Sequence, residues 1–134
     1  MITTVPSTSC RSTHPLRDVV AGSVADTGEK HADLLAVART DLDQREHAAD
    51  RYKATRRLRG RNVLVIDDTW TTGAHAQSAS AALKVAGAAA VAVLAIGRWF
   101  NPDYVTGDLR GASWLVAHRE PGWDWGRCCL ESAR

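Results

Sequence analysis

Short apolar runs separated by polar stretches predict a chain of alternating strands and helices. Apolar runs of about four to eight residues are typical of strands buried in a parallel sheet. Segments of this kind are residues 2–5, 32–38, 63–66 and 90–96. Because helical patterns lie between several of them, we expect an α/β fold with a central, mostly parallel twisted sheet flanked by helices.

Two segments carry helical signals. Residues 15–24 have apolar positions at helical spacing, Pro15 suits a first helical turn, and Gly28 is expected to end the helix. Residues 74–86 are rich in alanine, and Gly87 is placed as their C-terminal stop. Both helices would connect strands of the predicted sheet.

Two further segments lack a regular pattern. Residues 39–58 are polar and charged with no clear buried face, and we interpret them as a long functional excursion with part of a β-ribbon or a helical piece. After Gly97 the pattern breaks up, and residues 113–117 are predicted to form a short edge strand.

The composition is that of one globular domain. A chain of 134 residues that is 45% hydrophobic suffices for one core, so we expect a single domain over residues 1–134. The formal net charge of +2 gives no general reason to expect nucleic acid or a membrane as a partner. The local exception is the arginine-rich segment 45–61, which fits either a solvated face or a loop that faces a polyanion.

The cysteines and the first residues suggest a compartment. No apolar run approaches a membrane span, and the first residues lack the features of a signal peptide. Cys10, Cys128 and Cys129 make a poor disulfide framework, and we favour structural thiols over a zinc site. We therefore expect a cytoplasmic protein.

The segment 63–73 combines a predicted buried strand with side chains of a candidate binding site. Asp67 and Asp68 follow where the strand is expected to end, and a loop of hydroxyls and glycine comes next. Ligands bind at the carboxyl ends of parallel strands, and backbone N–H groups at a helix start bind anions. The segment thus predicts a diol or metal site beside a phosphate cradle, a pairing that suits a sugar phosphate.

This segment resembles the motif with which type I phosphoribosyltransferases bind 5-phosphoribosyl 1-diphosphate (PRPP). The family pattern is a hydrophobic strand, two acidic residues, and a loop of Thr or Ser with Gly, and Asp67-Asp68-Thr69-Trp70-Thr71-Thr72-Gly73 matches it without a gap. A weaker resemblance extends from about Ile2 to about Tyr104. Within the superfamily the chain is most similar to the ComF-like (competence-protein-F-like) branch, through Val5-Pro6-Ser7-Thr8 with Arg11 and through Ala49-Asp50-Arg51-Tyr52.

The resemblance implies a transferase with Mg²⁺ as cofactor. It would move the 5-phosphoribosyl group of PRPP to a nucleobase-like or other nitrogen acceptor and release pyrophosphate. Asp67 and Asp68 would be catalytic, holding the ribose hydroxyls directly or through Mg²⁺ and water. The 5′-phosphate would be bound by Thr69, Trp70, Thr71, Thr72 and Gly73. For Trp70 the ring either covers the ribose or packs in the core, and we lean towards packing.

The resemblance also implies contacts to pyrophosphate and to the acceptor. Ser7, Thr8 and Arg11 follow the first strand, and Arg51 with Lys53 would belong to a basic lid; all five are predicted to contact pyrophosphate. Trp99 and Phe100 would stack on a flat acceptor, although an aromatic cluster that closes the sheet edge explains them equally well.

Two alternatives to an enzyme stay open. The same site could serve a regulatory module that binds PRPP or a nucleotide without transfer, or the ComF-like resemblance could point to DNA uptake or processing. Relative to the family pattern the chain looks short and N-terminally trimmed, which leaves the acceptor pocket to be completed by a partner. We therefore expect a homodimer that binds PRPP and a small-molecule acceptor, with no membrane and no nucleic acid as partners.

Overall fold

A computed structural model describes residues 1–8, 14–23 and 27–98. The strands and helices in this part of the chain are β1 (Ile2–Thr4), α1 (Pro15–Asp18), β2 (Leu35–Val37), β3 (Tyr52–Ala54), β4 (Asn62–Trp70), α2 (Ala74–Val85) and β5 (Ala90–Arg98). A π-helical turn (Val19–Ser23) follows α1, and a 3₁₀ turn (Gly28–Lys30) precedes β2.

The main sheet has three parallel strands in the order β1-β4-β5. Thr3 lies opposite Val65 of the central strand, and Val65 lies opposite Val93 on its other side. Helix α2 connects β4 to β5 and packs against both strands. The predicted α/β architecture with a parallel sheet is therefore confirmed for the described residues.

Strand β2 belongs to a separate two-stranded sheet. It pairs antiparallel with β3, with Leu35 opposite Ala54, rather than joining the parallel strands. The expectation that residues 32–38 add a strand of the main sheet is therefore wrong. The excursion supplies the partner strand instead, which confirms that it contains part of a β-ribbon.

The core lies between the main sheet, helix α2 and the ribbon. Val63 and Val65 of β4 meet Leu83 of α2, and Leu34 and Tyr52 reach them from the ribbon side. Leu34, Val65 and Leu83 are fully buried. These contacts attach the ribbon to the same core as the parallel sheet.

Strand β5 differs from the expected buried strand. Leu94 is 51% exposed and Ile96 is 66% exposed. The side chains of an apolar strand are buried on both sides only where other elements pack against both faces of the sheet. Among the described residues α2 packs against β5, yet five of the seven apolar residues at 90–96 are exposed and none is fully buried.

The first helix is shorter than predicted. His14 caps α1, since its Nδ1 accepts a hydrogen bond from the Arg17 N–H at 3.1 Å. The chain then changes to the π-helical turn, and Gly28 begins the 3₁₀ turn instead of ending a helix. No helix within the described ranges combines the length and apolar character needed to cross a membrane.

Candidate functional site at the carboxyl edge of the sheet

A cavity of about 310 Å³ opens where β1 and β4 end side by side. Parallel strands place both carboxyl ends at one edge, which is where open α/β sheets bind ligands. The cavity walls come from the residues after β1, the start of α1, the excursion, the end of β4 and the start of α2. They are Val5, Pro6, Ser7, Thr8, His14, Pro15, Leu16, Gln44, Asp67, Asp68, Thr69, Thr71, Gly73, Ala74 and His75.

Strand β4 runs four residues further than predicted. Thr69 pairs with Gly97 and Trp70 pairs with Arg98, so the parallel ladder continues past the acidic pair. The expected loop over residues 69–73 is therefore confined to residues 71–73. The polar residues 67–70 gave no strand signal in the sequence. The strand continues through them because they pair with the long neighbouring strand β5.

Asp67 and Asp68 lie at the cavity in different environments. Successive strand residues point to opposite faces, so Asp67 shares the buried face of Val63 and Val65, while Asp68 is exposed. Burial and then the negative charge of Asp68 raise the pKa of Asp67 to about 6. The pair is a concentration of negative charge that a cation would stabilise.

The loop after β4 leads directly into α2. Gly73 adopts a left-handed conformation (φ 76°) at the helix start, and Thr72 Oγ1 accepts a hydrogen bond from the Ala74 N–H at 3.3 Å. The first turn of α2 holds no acidic side chain, so the positive end of the helix is not neutralised by its own residues. Thr71 and Gly73 line the cavity beside this end.

Trp70 packs against the loop and does not line the cavity. Its ring lies so close to Gly73 that a Cβ at that glycine would come within 2.7 Å of Cη2 of the ring. The packing role is therefore the observed one for Trp70. Thr72 also lies outside the cavity lining, where its hydroxyl supports the start of α2.

The segment after β1 supplies a second wall. Ser7 and Thr8 line the same cavity as the acidic pair, and their contact to pyrophosphate stays a prediction. His14 joins them, with Nε2 at 2.9 Å from the carbonyl oxygen of Val5. The backbone N–H of Ser7 also lies against Nε2, at 3.2 Å, and Nδ1 accepts from the Arg17 N–H. Arg11 lies outside the described residues.

Arg51 and Lys53 do not face the cavity. Arg51 is 1% exposed, and its guanidinium donates to the carbonyl oxygens of Asp43 and Glu46. Lys53 is exposed on the ribbon face opposite to Tyr52. In this structure Arg51 holds the excursion together, and the expectation that both side chains reach pyrophosphate is not met, because strand alternation and burial direct them elsewhere.

One residue that the sequence did not single out completes the cavity. His75 lies on the first turn of α2, and its Nδ1 is 2.6 Å from the hydroxyl of Tyr52. Its other ring nitrogen bonds to the backbone of Gln44, which also lines the cavity. Burial, and then the charge of Arg51, lower the pKa of His75. The Tyr52 hydroxyl also donates to the carbonyl oxygen of Pro6 at 3.3 Å.

The described walls of the cavity carry negative charge but no lysine or arginine. Asp67 and Asp68 offer carboxylate oxygens, and the described residues hold no cluster of three or more acidic, histidine or cysteine side chains that would form a protein-only metal site. Mg²⁺ often binds one or two carboxylates and completes its shell with water and phosphate oxygens. The acidic pair fits that mode of binding.

Trp99 and Phe100 lie outside the described residues, so their predicted contact to an acceptor stays a prediction. Comparisons of this chain with protein-family models, with curated protein sequences and with solved structures gave no match. The geometry of the cavity therefore carries the functional argument.

Proposed function

We propose that the cavity binds the phosphoribosyl group of PRPP together with Mg²⁺. The observation that carries this proposal is one cavity that joins an acidic pair to an anion-binding helix start. Its volume of about 310 Å³ is at the lower end for small-molecule sites, which suits a sugar phosphate. A type I phosphoribosyltransferase fold for the whole chain is part of the same proposal.

The roles of the residues follow from their places. Asp68 is exposed to the cavity and reaches the ribose hydroxyls, while buried Asp67 places a second negative charge behind it. Thr71 and the backbone N–H groups around Gly73 donate to the 5′-phosphate at the positive end of α2. Ser7 and Thr8 lie across the cavity, where the pyrophosphate end of the ligand would extend.

We propose that this site transfers the group to a nucleobase-like or other nitrogen acceptor. The bond between the anomeric carbon and pyrophosphate breaks, pyrophosphate leaves with the electron pair, and the acceptor nitrogen forms the new bond. When held by Asp67 and Asp68, Mg²⁺ would supply positive charge to the leaving diphosphate. Asp67 and Asp68 stabilise the positive charge that develops on the ribose, because they are fixed before the reaction starts.

A second candidate is a module that binds PRPP without transferring it. The observation in its favour is that the described cavity walls contain no lysine or arginine to stabilise a departing pyrophosphate. Transfer would then require Arg11 or residues beyond Arg98, or a second copy of the chain. Binding requires only the acidic pair and the start of α2.

Titration calorimetry with PRPP and Mg²⁺ tests binding, and pyrophosphate release in the presence of a panel of nucleobases tests transfer. We expect the double change Asp67→Asn with Asp68→Asn to weaken PRPP binding by at least about 100-fold, since two charged contacts are lost. The matched control is Asp18→Asn with Glu29→Gln, which removes two exposed carboxylates outside the cavity.

The outcomes separate the two candidates. Binding with pyrophosphate release supports the transferase, and binding without release for any base supports the module. PRPP affinity that survives the change of both aspartates, or that falls equally in the control, would refute the site.

A further inference from the structure

A second hollow lies at the opposite edge of the main sheet. It has a volume of about 570 Å³ and is lined by Met1, Arg56, Arg57, Leu58, Arg59 and Arg61. The segment 56–61 leads into the amino end of β4, whereas the candidate site lies at the carboxyl end of the same strand. The two pockets share no lining residue.

The hollow concentrates positive charge without nearby compensation. Arg56, Arg57, Arg59 and Arg61 are all exposed, and none forms an ion pair with an acid in the described part of the chain. Four like charges within six residues repel one another. An arrangement of this kind is stabilised when an anion of high charge binds between them.

The segment that carries these arginines is fixed by backbone hydrogen bonds. The Leu58 N–H donates to the Ala86 carbonyl at 2.8 Å, and the Gly60 N–H donates to the Gly87 carbonyl at 2.8 Å. Leu58 is only 2% exposed and anchors the segment in the core. The guanidinium groups therefore extend from a fixed support, which reduces the entropy lost when a ligand binds.

The backbone at Arg59 has an unusual conformation. Its φ is 48°, in the left-handed region that glycine and asparagine occupy more readily than arginine. Gly60 follows with φ 78°, and together the two residues form the tight turn before β4. An arginine in a backbone conformation that favours a smaller residue is consistent with a use for its side chain.

We propose that this hollow binds a compact polyphosphate group. Guanidinium groups bind phosphate oxygens in a bidentate manner, and several of them around one hollow suit a ligand with several adjacent phosphates. Six residues span at most about 20 Å when extended, which matches a short phosphate chain better than the long backbone of a nucleic acid. Inorganic polyphosphate and nucleoside polyphosphates share this chemistry.

Titration calorimetry at low salt with inorganic tripolyphosphate and with ATP tests the proposal on the full chain. The test variant is Arg57→Gln with Arg59→Asn, because asparagine tolerates the left-handed backbone. We expect its Kd for both ligands to rise at least about tenfold, with a weaker dependence of Kd on salt. The matched control is Lys30→Gln with Arg98→Gln, which removes two exposed cations elsewhere and should bind as the unchanged protein does.

Four comparisons decide the result. Equal affinity for tripolyphosphate and ATP assigns recognition to the phosphate chain, and tighter binding of ATP assigns a nucleoside contact; either supports the proposal. Unchanged affinity in the arginine variant, with an unchanged melting temperature, would overturn it. So would loss of binding in Thr71→Ala with Thr72→Ala but not in the arginine variant, or a short single-stranded oligonucleotide that binds far more tightly than both polyphosphates.

Discussion

The ring of Trp70 lies directly over Gly73, so that no side chain fits between them. A Cβ at Gly73 would come within 2.7 Å of Cη2 of Trp70, and the backbone there has φ 76°. Steric crowding and a left-handed backbone both require glycine at this position. The start of α2 and the loop at residues 71–73 therefore depend on one contact between a large ring and a residue with no side chain.

We expect Gly73→Ala to destabilise the protein by about 1–3 kcal/mol and to weaken phosphate binding, because the loop must move. Urea unfolding and PRPP titration measure the two effects. Gly22→Ala is the control, since a Cβ at Gly22 meets nothing within 4 Å. Adding Trp70→Leu to Gly73→Ala should recover part of the stability, and equal stability of Gly73→Ala and Gly22→Ala would contradict this account.

We expect Asp67→Asn to stabilise the ligand-free protein while it weakens PRPP binding. The pKa of Asp67 is raised from 3.8 to about 6, so the folded protein holds a proton there that the unfolded chain releases. The stability contributed by protonated Asp67 is thus present below pH 3.8 and is lost as the pH rises through 6. One pKa unit corresponds to about 1.4 kcal/mol, which sets an upper limit of about 3 kcal/mol.

Urea unfolding between pH 4 and pH 8 in the presence of EDTA measures this effect. The unchanged protein should lose stability relative to Asp67→Asn across that range, and Glu29→Gln should follow the unchanged protein because Glu29 is exposed. Parallel curves for the unchanged protein and Asp67→Asn would show that the buried carboxylate is not destabilising.

We expect Arg51→Ala to act through folding of the excursion. The buried guanidinium donates to the carbonyl oxygens of Asp43 and Glu46, and its loss would leave both acceptors without that partner. A cost of about 1–3 kcal/mol is typical when a buried acceptor is left without its hydrogen-bond partner. Limited proteolysis should then cut within residues 39–50, which hold the Gln44 wall of the cavity.

Lys53→Ala is the comparison variant for Arg51→Ala, because Lys53 is exposed on the same ribbon. We expect it to leave stability and PRPP affinity within about twofold of the unchanged protein. A direct role in binding pyrophosphate would appear instead as a large loss of affinity in Lys53→Ala, or in Arg51→Ala with normal resistance to protease.

We expect the contribution of His75 to stability to change with pH in the opposite direction to the contribution of Asp67. Burial and the charge of Arg51 lower the pKa of His75 below 6.5, so the unfolded chain takes up the proton first as the pH falls. Stability from neutral His75 is present above pH 6.5 and decreases as the pH falls below it. His75→Gln can keep a hydrogen bond without titrating, and its unfolding free energy should decrease less in acid.

A proton NMR titration of the His75 ring gives the matching direct measurement. Its midpoint should lie below 6.5, while Tyr52→Phe should cost about 1–2 kcal/mol because the hydrogen bond between the hydroxyl and Nδ1 is lost. A midpoint above 6.5 would contradict the lowered pKa of His75.

The sequence predicted the elements whose signals are local. The apolar run before Asp67 and the alanine-rich segment that ends near Gly87 became β4 and α2. The extension of β4 to Trp70 escaped prediction because polar residues at a strand end look like a loop. Pairing with β5 determines where β4 ends, and no local sequence pattern indicates that pairing.

The site was predictable where its residues lie in one segment. Asp67, Thr71 and Gly73 meet at the cavity because one strand and one helix place them there. His75 escaped notice because contacts between distant segments bring it to the cavity. Arg51 was misjudged because most arginines are exposed, and only the tertiary structure shows that carbonyl groups surround this one.

The pairing of β1 with β4 has a consequence for the order of folding. Ile2 lies opposite Leu64, so the two sides of the cavity are joined by a contact between residues 62 positions apart in the chain. Among the described residues, β1 also pairs with a residue closer in sequence, through a single isolated bridge between Ile2 and His31. Closing so long a loop costs entropy before the contacts compensate for it. During synthesis the cavity can therefore form only after β4 has left the ribosome, and it is a late feature of the folded chain.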